Sequence, residues 1–151
     1  MARMKMIAGH WTMNKTPSEA TELINALKER IQNVTDVDLL VCPPFTALPE
    51  ALKATSGTNI DVGAQNIHWE ESGAFTGEVS APMLKEMGVT HAIVGHSERR
   101  QYFAETDETV NMRTKAALDG GLHPIVCVGE DLEQREADQT TSVVKRQFEQ
   151  G

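Results

Sequence analysis

The segment His91-Ala92-Ile93-Val94-Gly95-His96-Ser97-Glu98-Arg99-Arg100 passes directly from an apolar run to a densely polar one. Its first half reads as a short buried strand. Its second half reads as a short helix, with Ser97 as the cap. Glu98 comes early and Arg99 and Arg100 late, the charge order that suits a helix dipole. In parallel α/β folds the functional residues stand at this edge, where strands run out into the loops leading to helices. His96 stands there. Partial positive charge at a helix N-terminus favours a neutral imidazole, and a neutral imidazole can donate a hydrogen bond to a substrate carbonyl. A capping or packing histidine is the alternative reading.

Working outward, four more apolar runs read as strands: Lys5 to Trp11, Val37 to Cys42, Ile60 to Gln65 and Pro124 to Val128. The first is expected to be buried. Helical patterns separate them. Thr16, Pro17 and Glu19 form a Thr-Pro-x-Glu capping box. Ala20, Leu23, Ile24, Leu27 and Ile31 then make one apolar stripe. A short helix is expected around Leu48, Ala51 and Leu52. Another is expected after Ser80, which serves as its cap, with Pro82 in the first turn and Gly88 past the end. Asp107 to Leu118 is helical and stopped by Gly120-Gly121, and Thr140 to Gln150 makes the last helix. The order is βαβαβαβαβα, with spacings near the ~30 residues of a βαβ unit. Continuous apolar strands between amphipathic helices mean a parallel sheet covered by helices. The pattern allows a doubly wound open sheet or part of a (β/α)₈ barrel.

Six ordered motifs resemble triose-phosphate isomerases. They are Ala8-Gly9-His10-Trp11-Thr12-Met13-Asn14, Cys42-Pro43-Pro44-Phe45, Gly63-Ala64-Gln65-Asn66, Gly73-Ala74-Phe75-Thr76-Gly77-Glu78-Val79-Ser80, Ile93-Val94-Gly95-His96-Ser97-Glu98-Arg99-Arg100 and Cys127-Val128-Gly129-Glu130. The resemblance implies a TIM (β/α)₈ barrel, a dimer, and interconversion of dihydroxyacetone phosphate and glyceraldehyde 3-phosphate without cofactor or metal. It makes His96 the electrophile that polarises the carbonyl and shuttles a proton between oxygens. It makes Glu98 a supporting carboxylate. It puts Thr76 at the tip of a loop, Gly73 to Glu78, that reaches into a neighbouring subunit. Cys127 matches a buried cysteine near the site, for which core packing is the plainer role.

Two departures from the family pattern bear on activity. At strand one the pattern is Asn-x-Lys, and His10 and Thr12 occupy those positions. The lysine holds the substrate phosphate and the developing enediolate charge. Losing a donor of this kind costs ~10²–10³ in rate, or about 3–4 kcal/mol. His10 and Lys15 are the nearest groups that could supply positive charge instead. The second departure is length. A full barrel takes about 250 residues, whereas these 151 supply five β/α units, expected as a single partial domain over residues 1–151. The family's glutamate base follows strand six, and its phosphate-binding turns follow strands seven and eight. The expectation is an isomerase-type protein, inactive or severely impaired as this chain alone. The alternative is a non-catalytic barrel fragment acting as an assembly or binding protein. An open sheet with two free edges favours a homo-oligomer.

Composition narrows the partners. The chain has 14 Lys+Arg against 22 Asp+Glu, a formal net charge of −8. That acidic balance, without a basic run, excludes a nucleic-acid-binding surface or a basic membrane-surface helix. No stretch approaches ~18 apolar residues, so no membrane span is expected. Met1 to Met6 lead straight into a strand and leave no room for a signal peptide. Cys42 and Cys127 follow β-branched runs and are expected as buried free thiols, which fits a reducing, cytoplasmic setting. Glu70-Glu71 and Glu130-Asp131 read as solvated faces rather than paired catalytic carboxylates. Trp11 and Trp69 read as packing residues. His68, His91 and His123 lack partners at metal-ligand spacing and read as structural.

Overall fold

The computed structural model describes residues 4–151. Its strands are β1 (Lys5–His10), β2 (Val37–Cys42), β3 (Ile60–Ala64), β4 (His91–Val94) and β5 (His123–Val126). Its helices are α1 (Pro17–Ile31), α2 (Leu48–Thr55), α3 (Ala81–Met87), α4 (Ser97–Tyr102), α5 (Asp107–Asp119), α6 (Leu132–Glu136) and α7 (Thr140–Gln150). Each strand pairs in parallel with the next, in the order β1-β2-β3-β4-β5. A doubly wound sheet reverses at a switch point. This one never reverses, so the five strands form an arc of a (β/α)₈ barrel, the second of the two architectures the pattern allowed.

Local chemistry sets the helix ends. Thr16 Oγ1 accepts from the Glu19 N–H, and Glu19 Oε2 accepts from the Thr16 N–H at 2.8 Å, with Pro17 opening the helix. The stripe behind this box buries Ala20 and Ile24, and Leu27 and Ile31 pack beside them. Gly88 ends α3 at φ +96°, a left-handed cap that glycine adopts freely.

The period of two along a strand divides the core. Leu39 and Val41 of β2 face the helices and join Ile24, Leu48, Ile67, Leu84 and Leu122. Each of those five is fully buried and stabilises the fold by roughly 2 kcal/mol. Leu40 and Cys42 face the other way and meet Ile93, Ile125 and Cys127 on the inner face of the arc. A Cβ on Gly63 would stand 2.8 Å from Cys42 Sγ, so this inner layer leaves no room there for a side chain.

Several expectations need correction. β1 is not buried: Ile7 is 62% exposed and Met6 39%. Its apolar pattern is that of a central strand, but among the described residues only β2 pairs with it, so it lies at an edge. Only Cys42 of the two cysteines is buried, whereas Cys127, just past the opposite edge strand, is partly exposed. Both are free thiols. Ser80 sits at the cap position of α3, but its hydroxyl makes no capping bond. Ser97 is the first residue of α4, and the cap is His96 itself. Helix α6 is an addition to the expected elements. Its signal is the Asp131-Leu132-Glu133-Gln134 box, in which Asp131 Oδ1 accepts from the Gln134 N–H at 2.8 Å.

Candidate active site

The ends of β1, β3 and β4 converge on one edge of the arc. After β4 the chain turns through Gly95 at φ +72°. A Cβ on Gly95 would come within 2.9 Å of Val110. The Gly95 carbonyl accepts from Arg100 Nε at 2.9 Å, which folds α4 back over the strand end. His96 caps that helix through its ring, with Nδ1 accepting from the Glu98 N–H at 3.3 Å. Glu98 Oε2 lies 3.6 Å from the same nitrogen, too far for a hydrogen bond. With Nδ1 accepting, the neutral ring carries its proton on Nε2. The half-buried imidazole thus presents a single N–H donor at the strand edge.

The loop after β1 is held in a strained shape. Thr12 has φ +51°, an outlier for a β-branched residue, and Lys15 has φ +77°. Gln65, just past β3, donates from Nε2 to the Thr12 carbonyl at 2.8 Å and to the Cys42 carbonyl at 2.9 Å. Asn14 Nδ2 donates to the Trp11 carbonyl and to Thr12 Oγ1, each at 2.8 Å. Thr12 Oγ1 itself donates to the Trp11 carbonyl at 2.7 Å. The hydroxyl is therefore spent within its own loop. Sequence reasoning assigns no role to Gln65 or Asn14, although both stand in the motifs.

Among the described residues, the hydrogen bonds of the Thr12 hydroxyl go to Trp11 and Asn14, not to His10 or Lys15. Burial holds His10 below the usual histidine range, the neighbouring His96 adds to this, and Glu98 opposes it. Its ring stands 4.8 Å from that of His96, tilted by 60°. Lys15 is exposed, and its charge acts on the Glu19 carboxylate at the start of α1.

Behind the site lies a buried ionic network that no local pattern announces. Arg113 of α5 donates to Asn66 Oδ1 at 3.0 Å and to the Ile67 carbonyl. It approaches Glu105 at 3.4 Å and Glu78 at 3.6 Å, and lies over the Trp69 ring at 5.0 Å. Glu105 also accepts from Arg99 Nε at 2.5 Å. This network joins the loop after β3 to the end of α4.

The other candidates fall where packing predicts. Thr76 is exposed at the tip of its loop, which turns on Phe75-to-Gly73 and Glu78-to-Phe75 backbone bonds. Trp69 and Phe75 flank the buried His68 ring at 4.3 and 4.4 Å. Glu70 and Glu71 are exposed. Asp131 is exposed and caps α6, but Glu130, expected on a solvated face, has a side chain only 14% exposed and accepts from Thr140. Burial pushes the Cys42 thiol up to about 12, and raises Cys127 as well, so neither is a ready nucleophile. A cleft of about 960 Å³ opens beside the site, lined by Ser97, Arg100, Asp107, Glu130 and Arg146 but not by His96. No helix among the described residues is long and apolar enough to cross a membrane.

Comparison with known proteins places this geometry. The family profile described as triosephosphate isomerase matches residues 5–151. The triosephosphate isomerase of Alkaliphilus oremlandii is 57% identical over 146 residues, covering 97% of this chain and 58% of that protein. That of Solibacter usitatus is 53% identical over 149 residues, covering 99% of this chain and 60% of that protein. The crystal structure of triosephosphate isomerase from Bartonella henselae superposes with a TM-score of 0.92 at 40% identity, covering 97% of this chain and 61% of that one. The chain thus spans about three fifths of the length of these relatives.

Proposed function

The chain belongs to the triosephosphate isomerase family, and on that premise we propose that it carries the electrophilic part of an aldose–ketose isomerase site for triose phosphates. His96 donates from Nε2 to the substrate carbonyl and passes the proton between the two oxygens. Glu98 holds the ring through its backbone N–H. The observation that carries this reading is the Glu98 N–H bond to His96 Nδ1, which aims the remaining N–H outward.

The reading extends to a deficit. Thr12 brings no charge to the position of the family's lysine, and its hydroxyl is engaged by Trp11 and Asn14. The five strands include no counterpart of the strand that precedes the family's base. The 151 residues by themselves therefore turn over triose phosphates at background rate. The exposed edge at β1 supports a second reading, in which the fragment acts through association with another copy, the Gly73–Glu78 loop docking near Thr12 or Glu98 of its partner.

A chimera tests the first reading. The chain is fused to the part of the Alkaliphilus oremlandii enzyme that lies beyond the matched segment, and assayed with a coupled dehydrogenase. Thr12→Lys in the chimera should raise kcat at least a hundredfold, and His96→Gln should then abolish that gain. A chimera whose rate is the same with and without the Thr12→Lys substitution would overturn the reading.

A further inference from the structure

We propose that His10, His96 and Glu98 form a binding site for a divalent transition-metal ion, with zinc as the best-matched ion. One ligand atom from each side chain lies within 4.8 Å of those of the other two. Among the described residues this is the one group of three or more His, Cys, Asp or Glu side chains so arranged. The donor set is two imidazoles and a carboxylate, the composition of open zinc sites that keep a fourth position for water or ligand.

A second observation points the same way. His10 Nδ1 is buried and has no hydrogen-bond partner among the described residues. A buried polar atom left unpaired is destabilising, and its lone pair is available to a metal. The scaffold also suits the task. His10 closes β1 and is paired to Cys42 in register. His96 is placed by the turn at Gly95. Glu98 is exposed, so its carboxylate swings without disturbing the core. Zinc–nitrogen bonds of about 2.0–2.1 Å set tetrahedral donors closer together than they stand here. Closure needs rotation of the Glu98 side chain, a tilt of the two rings and release of the Glu98 N–H from His96, whose single lone pair passes to the metal. No local spacing motif announces this set, because its two histidines come from the ends of different strands.

The position that departs from the family pattern creates the site. An amide at position 10 is a poor zinc ligand, whereas an imidazole is a good one. A metal here would occupy the ring proposed as the electrophile, so zinc and substrate carbonyl compete for His96. Binding itself does not depend on that proposed catalytic role.

The test uses the 151-residue chain and zinc chloride, titrated in competition with a chromophoric chelator. One zinc per chain is expected, with affinity falling at least tenfold in His10→Asn and in Glu98→Gln. His68→Asn, which alters a ring outside the set, should bind like the parent. Circular dichroism checks that each variant is folded. A measurement free of variants accompanies it: cobalt(II) added to the parent should broaden the ring-proton NMR signals of two histidines and leave the other three sharp. Zinc binding unchanged by both His10→Asn and Glu98→Gln would overturn the proposal, as would absence of stoichiometric binding or uniform cobalt broadening of all five histidines.

Discussion

Gln65 reaches from the end of β3 to the Thr12 carbonyl, donating at 2.8 Å across the mouth of the arc. The same amide nitrogen serves Cys42 at the end of β2. A single side chain thus ties three strand ends together and holds Thr12 at its positive φ. Gln65→Ala removes both bonds and leaves the Thr12 carbonyl unpaired, while the Cys42 carbonyl keeps the Trp11 N–H at 3.2 Å. The expected loss is about 1–3 kcal/mol of stability, read from the urea midpoint at constant m. An unchanged midpoint would show that Asn14 holds the loop unaided.

Arg113 is the cation on which the buried network depends. The Glu105 side chain is 2% exposed, and Arg113→Met leaves Arg99 as its one remaining ion-pair partner among the described residues. Leaving a buried charge wholly unpaired costs about 3–5 kcal/mol, and because Arg99 still pairs with Glu105 the loss should fall below that. Arg113→Lys should recover little of this, because an ammonium cannot serve Asn66, Ile67 and Glu105 together while lying flat over Trp69. Thermal or urea unfolding of both variants decides the point. Full recovery by lysine would mean that charge alone matters there.

These two residues mark where the sequence was legible and where it was not. Thr16 with Glu19, the stripe from Ala20 to Ile31, and Gly88 are local signals, and the structure uses them as expected. The strand-end residues were legible because parallel topology fixes which edge carries polar groups. Burial of β1 was misjudged because an edge strand and a central strand share one apolar pattern, and neighbours decide between them. Arg113 was invisible for a related reason: its partners lie between 8 and 47 residues away, beyond any helical or strand period. The approach of the His10 and His96 rings likewise exists only once β1 and β4 are set on the same arc.

Acid should destabilise the fold in two stages. Burial lowers the His91 pKa, and His123 adds to this, while Asp61 and Asp38 oppose it. The unfolded chain takes up that proton near pH ~6.5 and the folded chain only at lower pH, so stability falls as pH drops below about 6.5. At Asp107, burial pushes the carboxyl up, but hydrogen bonds from Arg100 and Arg146 outweigh it and hold the group below its usual range. Its stabilisation is present above pH ~4 and is lost as pH falls through the folded value. Urea midpoints measured from pH 8 to about 3 should show both stages. His91→Asn should reduce the upper stage, to which the lowered His10 also contributes, and Asp107→Asn the lower; a profile unaltered by either would refute the assignment.

Restoring charge at position 12 in the 151-residue chain alone should achieve nothing. Catalytic groups that act as a unit are strongly non-additive, and a cation without a base has no proton transfer to assist. The expected rate for Thr12→Lys stays at background in a coupled dehydrogenase assay. A hundredfold rise would reveal a base among these residues that the strand-end geometry does not display.

The last prediction concerns association. Met6 and Ile7 lie open on β1, and among the described residues neither β1 nor β5 has a strand on its outer side. An exposed parallel edge beside apolar side chains favours pairing with another chain. The Gly73–Glu78 loop supplies a second element, since it is folded on itself by its own backbone bonds and presents Thr76 outward. A self-complementary contact uses loop and strand-end region of both copies at once, which closes the assembly at a dimer. Light scattering at micromolar concentration should therefore give a discrete oligomer. Thr76→Arg places a long charged side chain at the contact and should shift the population to monomer, while circular dichroism stays unchanged because the position is exposed. A parent chain that scatters as a clean 16.6 kDa monomer would rule out the docking role of the loop. An oligomer indifferent to Thr76→Arg would place the contact at the β1 edge instead.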